Sequence, residues 1–98
     1  MSLPLTFTRE AQDEMDDTYA WYDQQRKGLG EEFLAAVRGV LERIQENPEL
    51  FRQVYGNVRH GSIHRFPYSI CYRVQGDRIE VLAVFHGFRD PSRWKQRV

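Results

Sequence analysis

The feature that most constrains this chain is a change of hydrophobic period at Asn47-Pro48. Before it, apolar residues recur every three or four positions; after it, they alternate with polar ones or run together. The first pattern is that of amphipathic helices and the second that of strands. Ala11, Met15, Thr18 and Tyr22 make one face of a first helix, with Tyr19 beside it. Trp21 lies about a quarter-turn off that face and is expected to be partly exposed. Thr8 is placed to cap the helix, and Glu10 sits in its positive first turn. Gly28-Leu29-Gly30 interrupts the pattern. Gly30 is the expected N-cap of a second helix, Leu29 a staple onto Leu34, and Glu31 and Glu32 suit its dipole. Its buried stripe is Phe33, Val37, Val40 and Ile44, flanked by Leu34 and Leu41. Asn47-Pro48 ends it, because the residue before proline disfavours helix. Two helices joined by so short a turn pack as an antiparallel hairpin.

Leu3, Leu5 and Phe7 read as a first strand ahead of the hairpin. Beyond Pro48, strands are expected over Val58 to Phe66, Ser69 to Val74 and Arg78 to Phe85, with turns at Phe66-Pro67 and Gln75-Gly76-Asp77. Ile70, Tyr72 and Val74 share one side of the middle strand. The run Val81-Leu82-Ala83-Val84-Phe85 is apolar at every position, which marks a central strand covered on both faces. Asp90-Pro91 suits the N-cap and first position of a short terminal turn that holds Trp94. The expected fold is α+β, in the order β-α-α-β-β-β, an antiparallel meander packed on an N-terminal helical hairpin. Its 98 residues suit a single domain over 1–98.

Charge is distributed unevenly between the halves. Residues 1–50 hold five Lys/Arg against eleven Asp/Glu, and residues 51–98 hold nine against three, so a net charge of zero divides into −6 and +6. Twelve of the fourteen cations are Arg, the residue suited to bidentate recognition of carboxylate and phosphate. The basic half therefore suggests an anionic partner, nucleic acid or an acidic protein segment, unless both faces are merely solvated. The lone Cys71 excludes an internal disulfide and fits a reducing compartment. Nothing resembles a signal peptide or a membrane span, so the cytoplasm is the expected location.

His60 and His64 share a strand face but stand two pleats apart, and no second Cys accompanies them, so no metal or cofactor is expected. There is no Gly-rich phosphate loop and no nucleophile elbow. What remains is a set of Arg, Tyr and His side chains on the strands and after them. Arg59, Arg65, Tyr72, Arg73, Arg89 and Arg93 are the candidate surface for a target or partner. His86 with Arg65 and Arg89 is the candidate acid–base set if the chain cleaves RNA.

Several segments together resemble a known family. They are Ala20-Trp21-Tyr22, Gly28 to Leu34, Asn47-Pro48, Arg65 to Val74 and Val81 to Pro91, with Trp94 and Arg97 trailing. In order and spacing they are similar to the ParE/RelE superfamily of bacterial toxins from type II toxin–antitoxin (plasmid stabilisation) systems, and the resemblance covers nearly the whole chain. It implies a cognate antitoxin whose C-terminal segment wraps the toxin with an added strand or helix, and it allows a homodimer. The long hairpin and the Phe-His-x-x-Arg-Asp-Pro ending lean toward the ParE side, which implies binding and stalling of DNA gyrase without chemistry. The RelE side would imply cleavage of mRNA on the ribosome. A member of the same fold that has lost toxicity is a third reading.

Overall fold

The structure is a computed structural model, and it describes residues 2–87 and 92–98, the side chains of Ser92 and Arg93 apart. The expectations for Arg89, for Asp90-Pro91 and for the Arg93 side chain lie outside the described residues. Strand β1 (Leu5–Phe7) leads into helices α1 (Arg9–Gln25) and α2 (Leu29–Glu46). Strands β2 (Gln53–Tyr55), β3 (Val58–Ser62), β4 (Tyr68–Gln75) and β5 (Arg78–His86) follow, and then the short helix α3 (Ser92–Lys95). The five strands form one sheet in the order β1-β5-β4-β3-β2, antiparallel throughout except that β1 runs parallel to β5.

Thr8 joins the sheet to the hairpin. Its N–H donates to the Val81 carbonyl at 3.0 Å, and its Oγ1 accepts from the Ala11 N–H at 3.2 Å, capping α1. Ala11, Thr18 and Tyr22 are buried along α1, while Trp21 is 54 % exposed. Along α2 the buried stripe is Phe33, Val37, Val40 and Ile44, as the spacing requires. These side chains meet Ile70, Tyr72, Ile79, Val81 and Val84 from one face of the sheet. An aromatic cluster of Tyr22, Phe33, Phe66 and Tyr68 closes the hairpin end of this core, with ring centroids 5.0–6.0 Å apart.

A smaller core of Val58, Cys71, Leu82, Ala83 and Trp94 covers the opposite face. The continuous apolar run in β5 is thus buried on both sides, as expected, with one refinement. The pairing of β4 with β5 steps from Cys71–Ala83 to Tyr72–Val81, so Leu82 is a bulge residue. Leu82 and Ala83 consequently face the same core, and Val81 and Val84 face the other.

Three local expectations are corrected. The N-cap of α2 is Gly28, in the left-handed region at φ 93°, and Gly30 lies inside the first turn. The cap is completed from α1, because Asp23 Oδ1 accepts the N–H groups of Gly28 and Gly30 at 3.0 and 3.2 Å. The first strand of the meander stops at Ser62 instead of reaching Phe66. There the Ile63 N–H donates to the Tyr68 carbonyl to close the hairpin, and Arg65 takes a left-handed φ of 74° within the turn. The sheet also gains β2, paired with β3 across the two-residue turn Gly56-Asn57.

Candidate functional site

The expected arginine surface does not form as one patch. Arg59 and Tyr72 are cross-strand partners on β3 and β4, and both reach toward the exit of α2. Arg59 Nη1 donates to the carbonyls of Phe51 and Glu49 at 2.7 and 3.2 Å, and Tyr72 Oη donates to the Pro48 carbonyl at 2.8 Å. Tyr72 is fully buried, so it is a core residue that clamps the loop after α2 and is removed from the candidate contact surface. Arg73 follows Tyr72 in the strand and therefore points to the other face, where it pairs with Glu80 of β5 at 3.0 Å. Arg65 lies at the hairpin end, exposed, and pairs with Glu32 at 3.1 Å beside the Arg26–Glu32 pair. Its guanidinium lies 5.9 Å from the Phe66 ring centroid. Donated hydrogen bonds from Arg26 and Arg65 hold the Glu32 carboxyl below its usual range.

Part of the charge split is therefore satisfied within the molecule. Arg65–Glu32 and Arg97–Glu14 each join the basic half to the acidic half. Exposed pairs of the first kind contribute little to stability, so their consequence is that these guanidinium groups already have partners.

His86 occupies a different place. It ends β5 opposite Tyr68, with their rings edge-to-face at 5.3 Å, and it is half-buried. Both residues line a cleft of about 680 Å³ between α1 and β5. Glu14, Asp17, Thr18, Trp21 and Tyr22 of α1 form one wall, and Ala83 to His86 form the other, with Trp94 and Arg97 at one end. The cleft exists because β1 pairs with β5 only as far as Phe7–Val81, after which α1 departs. From Leu82 to His86 the outer edge of β5 has no neighbouring strand among the described residues. Side chains meet it instead: Glu14 Oε1 accepts the Val84 N–H at 3.1 Å, and Arg97 Nη1 donates to the Leu82 carbonyl at 2.9 Å.

Trp21, Tyr22, Tyr68, His86, Trp94 and Arg97 each stand out in the sequence, but their convergence on one cleft does not. A signal is nonetheless there, since Glu14, Asp17 and Trp21 step by three and four and share a helical face beside the buried stripe. Cys71 is buried in the smaller core, and burial pushes its thiol up to about 12, which excludes it as a nucleophile at ordinary pH. Among the described residues no group of three His, Cys, Asp or Glu side chains is arranged to hold a metal. Nor is any helix long and apolar enough to cross a membrane.

A two-helix hairpin laid on one face of a mixed sheet is also the fold of a solved structure described as the chromosomal ParDE TA system from P. aeruginosa. The two agree with a TM-score of 0.64 at 24 % identity, over 87 % of this chain and 96 % of that one. The family model for the ParE toxin of the type II toxin–antitoxin system parDE matches residues 5–91, and the chain belongs to that family. Toxin ParE2 of Mycobacterium tuberculosis, in strains CDC 1551 / Oshkosh and ATCC 25618 / H37Rv, is 27 % identical over 93 residues. That match spans 94 % of this chain and 89 % of each relative.

Proposed function

We propose that this ParE-family toxin arrests growth by binding DNA gyrase in the cytoplasm, and that a cognate antitoxin neutralises it by occupying the cleft between α1 and β5. The observation that carries the binding reading over RNA cleavage is the charge of that cleft. His86 stands among Tyr68, Tyr22 and Trp21, and the carboxylates lining the cleft are Glu14 and Asp17. Its one described cation, Arg97, is committed to Glu14. A polyanion needs free cations at the point of cleavage. A protein partner needs apolar area, and exposed Trp21 beside the aromatic wall of the cleft supplies it, while Glu14 and Arg97 hold the β5 edge that an added strand would have to displace.

Induction of the gene in a bacterial host tests whether the protein is toxic; growth arrest is expected. Purified protein should inhibit gyrase supercoiling and leave mRNA intact in a translating extract. Cleavage of mRNA that disappears in His86→Ala would overturn this reading in favour of a ribosome-dependent nuclease. Co-expression of a cognate antitoxin, to be sought as a small reading frame beside the gene, should restore growth.

A further inference from the structure

Of the six carboxylates on helix α1, Glu14 and Asp17 line the cleft. Glu14 is neutralised by Arg97, but Asp17 makes no hydrogen bond or ion pair among the described residues. Asp17 and Trp21 are four residues apart on the helix, hence on one side of it, and both line the cleft. Trp21 is 54 % exposed, and its ring contact among the described residues is an edge-to-face one with Tyr22 at 5.1 Å. A half-exposed indole lining the cleft one helical turn from a carboxylate without a described partner can attract a cation twice, through the ring quadrupole and through charge. An extended chain running beside β5 would turn alternate side chains toward α1.

We infer that Asp17 and Trp21 form a slot for a Lys or Arg side chain, carried into the cleft by an extended segment of the antitoxin. The slot rests on the antitoxin reading above only for the identity of its carrier. It also reverses the electrostatic expectation drawn from composition. The segment that enters this cleft is basic at the position facing α1, whatever the net charge of the rest of the partner.

The test follows the Trp21 indole N–H signal by NMR in the intact protein during titration with N-acetyl-lysine-N′-methylamide, the arginine analogue and the uncharged norleucine analogue. The two cations should shift the Trp21 signal saturably, and norleucine should not. Asp17→Asn should weaken the cation effect about threefold, the scale of an exposed charge contact. Equal shifts with norleucine, or no shift with any of the three, would overturn the slot. Asp17 is exposed, so the substitution leaves the core intact. In parallel, the Kd of the toxin for the product of a small reading frame found beside the gene should rise about threefold in Asp17→Asn at low salt. An unchanged Kd would also overturn the slot while the antitoxin reading stands. Failure of the unsubstituted toxin to bind that product would sink the antitoxin reading and leave the titration to judge the slot.

Discussion

Glu14 and Arg97, 83 residues apart in the chain, form a two-pronged ion pair with N–O distances of 2.9 and 3.1 Å. The same two side chains engage the Val84 N–H and the Leu82 carbonyl. Together they replace a neighbouring strand along the part of β5 that β1 leaves uncovered, and they tie the C-terminal turn to α1. Glu14→Ala should therefore leave Val84 N–H and Arg97 without their partner at a partly buried site, at a cost of about 2 kcal/mol. Glu14→Gln keeps an acceptor for Val84 and should cost less. Urea denaturation measures both. In a Trp21→Phe background, Trp94 emission should shift red in Glu14→Ala as the terminal turn loosens. An unchanged midpoint and spectrum would show that the pair contributes nothing.

Two glycines of α2 should respond to alanine in opposite directions. A Cβ on Gly30 would lie 2.8 Å from the Tyr19 carbonyl oxygen and 2.9 Å from its ring, so the two helices must separate. Gly30→Ala should destabilise by about 1–3 kcal/mol. A Cβ on Gly39 meets nothing within 4 Å. Gly39→Ala removes unfolded-state freedom from a helix interior and should stabilise by about 0.5–1 kcal/mol. Thermal unfolding of the two variants gives the comparison directly.

The hairpin was legible because its period, caps and terminating proline all agree, and Phe33, Val37, Val40 and Ile44 emerge buried as the spacing requires. The order of elements was legible apart from β2, because β3, β4 and β5 carry alternating or continuous apolar runs between turn residues. What was hidden depended on contacts distant in sequence. Asp23 completes the cap of α2 through space, which displaces the helix start from Gly30 to Gly28. β2 is three residues long, too short for a period-2 pattern, although Gly56-Asn57 between Tyr55 and Val58 is a recognisable hairpin turn. The arginine cluster dissolved because parity along one strand says nothing about the groups opposite. Arg59 meets loop carbonyls, Arg73 meets Glu80, and Arg65 meets a carboxylate of α2. A composition count treats these cations as available, whereas the fold has already paired them.

Cys71 should behave as an inert side chain. Burial raises its thiol from 9.0 to about 12, with Glu14 adding to the effect and Arg97 opposing it. At pH 8 the folded protein should fail to react with a thiol reagent such as DTNB, while the urea-unfolded chain reacts fully. The sign for stability follows from the raised value. The unfolded thiol ionises above pH 9.0 and the folded one resists until about 12, so stability declines as pH rises through that interval. Rapid modification of the native protein at pH 8 would contradict this placement.

His60 should give the molecule a pH dependence on the acid side. It lies on β3, opposite Cys71, and stacks on Phe85 at 5.8 Å with its Nε2 buried and without a partner among the described residues. Burial, and secondarily the charge of Arg52, lower its pKa below 6.5. In the unfolded chain the imidazole takes up a proton as pH falls through 6.5, while the folded state resists until its own lower value. The stabilisation from keeping His60 neutral is therefore fully present above pH 6.5 and is lost progressively below it. Urea midpoints measured from pH 8 to pH 5 should fall more steeply for the unsubstituted protein than for His60→Phe, which cannot titrate. Parallel curves would mean that His60 is protonated equally easily in both states and that its ring is not held in the apolar stack with Phe85.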